Sequence, residues 1–186
     1  MLILELTNKE CSEALTGLGL GRLACSLDDQ PYIVPMHFAY HERYLYSFAT
    51  RGQKIDWMRT NPRVCVEADE IINHYDWTSV IVLGRYEELL DTSEWRLERE
   101  LAHELLQHQA MWWEPASVGT VHHAAVNGLM PIFYRIHIDQ MTGRRARPDS
   151  VEAVTLVGPV TAPQSGGWLK SLLRRLGFVG SGRSLD

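Results

Sequence analysis

The chain has 186 residues, 45% hydrophobic and 22% charged, an ordinary globular composition with enough length for a core of its own. Its formal net charge of −5 disfavours a general nucleic-acid-binding role, which needs a surplus of Lys and Arg against phosphate. Cys11, Cys25 and Cys65 are an odd set with no CxxC pair, which argues against a disulfide framework and for buried thiols in a reducing compartment.

The first ten residues, MLILELTNKE, carry no basic lead and no long apolar run, and no window approaches the roughly 20 apolar residues of a spanning helix. The expectation is a cytoplasmic protein with one domain over 1–150 and a tail over 151–186.

Residues 2–6 read as a short strand or an extended lead. Thr7 with Glu10 three positions on matches a capping box, so a helix is predicted over 8–18. Cys11, Ala14, Leu15 and Leu18 share one face of it, and Gly17, Gly19 and Gly21 end it. Residues 21–27 alternate as a strand, and Asp28, Asp29 and Gln30 make a turn. A second strand is predicted over 32–40. Pro31 begins it and Pro35 lies inside it, which places it at an edge or a bulge because proline cannot donate to the ladder. His41, Glu42 and Arg43 form the next turn, and 44–48 the third strand. Short turns between successive strands mean an antiparallel meander.

A loop over 49–52 leads into a helix over 53–60, stopped by Asn61-Pro62. The stretch TRGQK at 50–54 joins a strand to a helix start and carries a hydroxyl, an Arg, a Gly and a Lys. Such a turn suits a phosphate, because amides at a helix start attract anions and Lys54 adds a point charge. Residues 64–68 follow as a strand, 69–76 as a polar connection, and 77–87 as the strongest strand signal. Gly84 within it marks a bulge or a close backbone approach. Asp91 or Thr92 caps a helix reaching about 108, with Trp95, Leu97, Leu101, Leu105 and Leu106 as its apolar stripe. Trp112 and Trp113 open an aromatic loop, and 131–139 is a clear alternating strand. Five or six strands and two or three helices are expected before about residue 145. Residues 142–148 read as basic and turn-rich, 158–167 as a flexible linker and 168–178 as a short basic amphipathic helix. Docking on its own dimer, or partial order, is favoured for that helix over a membrane surface, because it is short and lacks a second membrane signal.

Dedicated catalytic motifs are missing. No nucleophile elbow, Ser-His-Asp order or strand-following GxGxxG occurs, so no catalytic residue is assigned. His103 and His108 lie five apart on different helix faces, His122-His123 is a lone pair, and no HExxH occurs, so no metal site is expected.

Four stretches together carry a family resemblance: GRLA at 21–24, PYIVPMHFAY at 31–40, LYSFATRGQKIDWMRTNPRVCVE at 45–67 and WTSVIVLGRYEEL at 77–89. In order and spacing they resemble the flavin-nucleotide-binding split-barrel proteins related to pyridoxamine 5′-phosphate oxidase, in particular the nitroimidazole-reductase-like branch. The resemblance implies a mainly β fold with flanking helices: a six-stranded antiparallel split barrel of Greek-key type. It also implies a homodimer with FMN in each of two interface grooves. Val34, Pro35, Met36 and His37 would run beside the flavin ring, and Phe48, Ala49 and Thr50 would continue that wall. Thr50, Arg51, Gln53 and Lys54 would hold the phosphate. Trp77 and Ser79 would reach the flavin from the opposite wall, supplied by the partner chain or by the same one. The implied activity is reduction of a small acceptor with electrons from NADH or NADPH passing through the flavin, whose chemistry explains why no acid–base motif is needed. The oxidase's Arg-Lys pair is Gln53-Lys54 here and its basic substrate-binding C-terminus is not recognisable, so pyridoxamine phosphate is not implied as the substrate. The alternative is a flavin- or haem-binding split barrel without turnover, with His37, His74, His122 or His123 as an axial ligand.

Overall fold

A computed structural model describes residues 1–107 and 130–148. The sequence-predicted features at His108, Trp112-Trp113, His122-His123 and the tail from 149 onward lie outside the described residues. Among the described residues, eight strands and three α-helices form in the order β1 (Leu2–Leu6), α1 (Asn8–Gly17), β2 (Leu20–Leu27), β3 (Gln30–His37), β4 (Ala39–His41), β5 (Tyr44–Ala49), α2 (Gln53–Thr60), β6 (Arg63–Asn73), β7 (Asp76–Glu88), α3 (Arg96–Leu106) and β8 (Ile132–Arg147). A 3₁₀ turn, Ser93–Trp95, precedes α3. None of the described helices is long and apolar enough to cross a membrane.

All strand pairings are antiparallel and follow the path β3-β2-β6-β7-β8-β5-β4, with β1 added on β8. The two ends of that path, β3 and β4, are consecutive in the chain and separated only by Phe38. A sheet whose ends are joined by one residue has to curl back on itself, which makes the mainly β barrel. The corner explains why the strand predicted over 32–40 is two strands. At Phe38 the chain leaves β2 and crosses to β5; the Phe38 amide donates to the Gly19 carbonyl at 3.0 Å and its ring is fully buried. Strands that change sheet do so at such bends. Pro31 and Pro35 are tolerated because β3 is an edge of the path.

Two further departures from the sequence expectation have one cause. Residues 69–76, expected as a connection, extend β6 to Asn73 and begin β7 at Asp76, leaving a tight turn at His74 and Tyr75. Residues 142–148, expected as turn-rich, extend β8 to Arg147 between β1 and β7. In both segments the polar side chains point to solvent or to ionic partners, while the backbone gains ladder hydrogen bonds that a window of sequence does not reveal. The register slips between Leu83 and Gly84, and a Cβ on Gly84 would stand 2.4 Å from the His137 carbonyl oxygen. The predicted bulge and the close backbone approach therefore both occur there.

The capping box forms as predicted: the Thr7 hydroxyl accepts from the Glu10 amide, and the Glu10 carboxylate accepts from the Thr7 amide at 2.8 Å. Cys11 and Leu15 on α1 enter the main core with Leu23, Met36, Phe38, Leu45, Ile55, Met58, Val66 and Tyr134. A second cluster packs Phe48, Leu89 and Phe133 under α3 through Ala102 and Leu106. Leu97, expected in the α3 stripe, is 74% exposed instead. The helix begins one turn later than predicted, at Arg96, and Ala102 rather than Leu97 faces the sheet. Cys11 and Cys25 are buried and Cys65 is half-buried; burial pushes all three thiols above their ordinary range.

Candidate functional site

The β5–α2 turn is a built feature. Ala49 is paired with Ile132 and ends β5; Thr50 is half-buried, and Arg51 and Gly52 are exposed. Gly52 is extended, and its carbonyl accepts from the Ile55 and Asp56 amides at 3.0 and 3.1 Å. Among the described residues no side chain caps α2, and none stands where a Gly52 Cβ would be. A helix start with open space in front and no capping side chain has room for an anion on its first-turn amides. Thr50, Arg51, Gln53 and Lys54 surround that space in sequence. Among the described residues Arg51 meets only Asp56, at 3.9 Å between two exposed side chains, so its guanidinium can turn to a ligand. Lys54 is half-buried, and its charge opposes the upward shift that burial gives the Cys25 thiol on β2.

The far side of α2 holds it in place. Ile55 and Met58 are fully buried, and Trp57 packs on Tyr32 with ring centroids 5.5 Å apart. Arg59 donates through Nε and Nη2 to both carboxylate oxygens of Glu88, each at 2.8 Å, and the Tyr86 hydroxyl donates to Glu88 Oε2 at 2.8 Å. Hydrogen bonds from Arg59 hold the Glu88 carboxyl below the usual carboxylate range, and burial pushes the Tyr86 phenol up. Asn61 Nδ2 donates to the Ser26 carbonyl at 3.0 Å. These contacts make the turn before α2 a positioned one.

The residues expected beside the ring occupy two different situations. Val34, Pro35, Met36 and His37 lie on β3, where Pro35 faces outward opposite Arg22 and Met36 is fully buried. His37 is 9% exposed, and its carbonyl accepts from the buried Ser47 hydroxyl at 2.6 Å. Phe48 and Ala49 are each 1% exposed; Phe48 packs on Phe133 at 5.7 Å between centroids. Their side chains belong to the core, so what they offer a ligand is backbone.

Trp77 and Ser79 line a separate cleft of about 580 Å³ with Glu5, Leu6, Ile81, Met141, Thr142, Gly143 and Arg144. The Ser79 hydroxyl donates to Glu67 Oε1 at 2.9 Å, and Arg22 joins Glu67 and Asp69 beside it. Arg144, directly across the ladder from Ser79, is a candidate that the sequence reading missed. The run GRRAR looks like a basic turn, and only the pairing of β8 with β7 brings Arg144 beside Ser79.

Within one protomer the two groups do not meet. Trp77 pairs with Ile71, whereas α2 sits by Arg63, which pairs with Arg85 at the other end of the same hairpin. Eight residues of strand at about 3.3 Å each put Trp77 roughly 26 Å along β7 from Arg85. His74, at the hairpin turn, is exposed and far from α2.

The sequence model of the family described as pyridoxamine 5′-phosphate oxidase matches residues 7–145, three-quarters of the chain. An uncharacterized protein of Rhizobium meliloti (strain 1021) is 41% identical over 146 residues, covering 78% of this chain and 97% of the other. The crystal structure of a FAD-binding protein from Mesorhizobium loti superposes with a TM-score of 0.67 at 43% identity, covering 78% of this chain and 99% of that one. A 5-nitroimidazole antibiotic resistance protein from Bacteroides thetaiotaomicron, so described as putative, is 20% identical with a TM-score of 0.54, which speaks for the shared fold alone. With a family match over residues 7–145 and a 43% identical structure of the same architecture, this chain belongs to the pyridoxamine 5′-phosphate oxidase family.

Proposed function

We propose that this protein is a flavin-nucleotide-dependent oxidoreductase that works as a homodimer in the cytoplasm, passing electrons from NADH or NADPH to a small acceptor. The observation that carries the reading is the 43% identity to a FAD-binding protein along 99% of that chain. The uncapped α2 start supports it, because it fits a cofactor phosphate.

Thr50, Arg51, Gln53 and Lys54 hold the phosphate in this reading. The backbone of Val34, Pro35, Met36 and His37 lies along the ring, and the backbone of Phe48 and Ala49 continues the wall. A second copy supports the reading on two counts. The exposed face of the sheet carries Ile33, Ile81 and Leu83, at 66%, 43% and 46% exposure, which is apolar area suited to burial. Trp77 and Ser79, at the opposite end of the β6–β7 hairpin from Arg63, can also complete the groove if they come from the partner. Bound flavin supplies the hydride chemistry, and the chain's own residues bind it, orient it and exclude water. FMN is the cofactor that the single phosphate grip fits; FAD is favoured by the Mesorhizobium loti relative.

The test is a spectrum of the purified protein followed by release of any bound cofactor. Flavin absorbance bleached under argon by NADH or NADPH supports the reading. A colourless protein that takes up neither FMN nor FAD overturns it.

A further inference from the structure

We infer that the cleft beside Trp77 takes the adenylate half of a dinucleotide, which makes Arg144 the residue that sets a preference for FAD over FMN. The inference rests on the flavin reading above and deepens it.

The cleft is built by one protomer, from β1, β7 and β8, and its roughly 580 Å³ lies within the range of small-molecule sites. Arg144 pairs with Ser79 across the β7–β8 ladder, and Trp77 pairs with Ala146, so Arg144 and Trp77 are diagonal neighbours. Diagonal positions stand about 7–8 Å apart, within reach of two long side chains. Among the described residues the Arg144 side chain has no hydrogen bond or ion pair, while its neighbours do: Arg145 donates to Thr78, and Arg22 is held by Glu67 and Asp69. A guanidinium without a partner beside a half-buried indole joins two recognition elements. The first matches the two oxygens of a phosphate, and the second stacks on a purine.

The charges nearby set the geometry. Glu67 is committed to Ser79 and Arg22, and adenine is neutral, so the base can lie over that side without electrostatic cost. Glu5 stands on the other side of Arg144 in the β1–β8 ladder and opposes a phosphate there. FMN carries one phosphate, and residues 50–54 answer to it. A second cation on a second wall answers to a second phosphate.

The experiment compares affinities of the full chain for FAD, FMN and ADP by flavin fluorescence and calorimetry. The wild type is expected to bind FAD more tightly than FMN, with ADP displacing FAD. Arg144→Met lowers FAD affinity roughly tenfold and abolishes ADP binding while FMN affinity stays within about twofold. Arg144→Lys, which keeps the charge but not the fork, falls between them, and carries the comparison if the Met variant does not fold. Glu5→Gln tightens FAD by removing the opposing carboxylate. Equal loss of FMN and FAD in the Arg144 variants, or no loss of FAD, overturns the assignment. If the wild type binds neither flavin, the flavin reading fails and ADP alone decides the cleft. ADP bound by the wild type and lost in Arg144→Met then upholds the adenylate site, and no ADP binding overturns it.

Discussion

Arg59 on α2 and Glu88 at the end of β7 form a two-pronged ion pair, with both N–H···O distances at 2.8 Å, and this pair ties the helix behind the phosphate turn to the longest hairpin of the sheet. Glu88 also accepts the Tyr86 hydroxyl, so its carboxylate is satisfied by two donating residues. Glu88→Gln is expected to cost about 1–2 kcal/mol at pH 7, the charged-hydrogen-bond range discounted because Arg59 is exposed to solvent on one side. The sign with pH follows from the lowered Glu88 carboxyl. The stabilisation is complete above the unfolded value of about 4.3 and is lost as pH falls through the lower folded value. Urea unfolding at pH 7 and at stepwise lower pH checks this: the gap between wild type and variant closes only in acid.

Two glycines make a matched pair. A Cβ on Gly84 meets the His137 carbonyl oxygen at 2.4 Å, whereas a Cβ on Gly52 meets nothing within 4 Å. Gly84→Ala therefore forces backbone apart at the β7–β8 bulge and is expected to cost about 2 kcal/mol or more. Gly52→Ala is expected to stay within about 0.5 kcal/mol, since its extended φ suits any residue and an N-terminal Gly adds little to a cap. Thermal unfolding of both variants separates the outcomes, and equal losses would contradict the close approach at Gly84.

Lys54 is half-buried in the turn proposed to hold the phosphate. Lys54→Met is expected to weaken FMN and FAD alike, by roughly tenfold, because the phosphate it faces is common to both. Flavin fluorescence titration measures this. Unchanged affinity for both would remove Lys54 from the site.

Dimer formation predicts a defect that reaches the cofactor. Ile81 and Leu83 stand exposed on adjacent outward positions of β7. Leu83→Lys, which lies outside the cleft that Ile81 lines, is expected to give a folded monomer by sedimentation, with flavin binding lost, since each groove then lacks its second wall. A monomer that retains full flavin affinity would place the whole groove within one chain.

Much of the fold is legible in the sequence because the signals are local. Thr7 and Glu10 announce α1, the proline pair announces the edge position of β3, and Gly84 announces the bulge. The proposed phosphate turn is readable as a candidate for the same reason: residues 50–54 are contiguous, and a helix start carries its own dipole and amides. Arg144 was not legible, because its meaning depends on Ser79, 65 positions earlier, across a ladder that β8 forms with β7.

By itself, then, the amino-acid order determined which segments are strands and helices wherever periodicity and caps speak, and it singled out the turn proposed to hold a phosphate. Tertiary structure decided the rest. The break at Phe38 exists because one segment must pair with β2 at one end and β5 at the other. The polar stretches 69–73 and 142–147 are strands because partners on neighbouring strands satisfy their backbone. The separation of Lys54 from Trp77 by the length of the β6–β7 hairpin is likewise a matter of register, and register is set by long-range pairing that no short window of sequence contains.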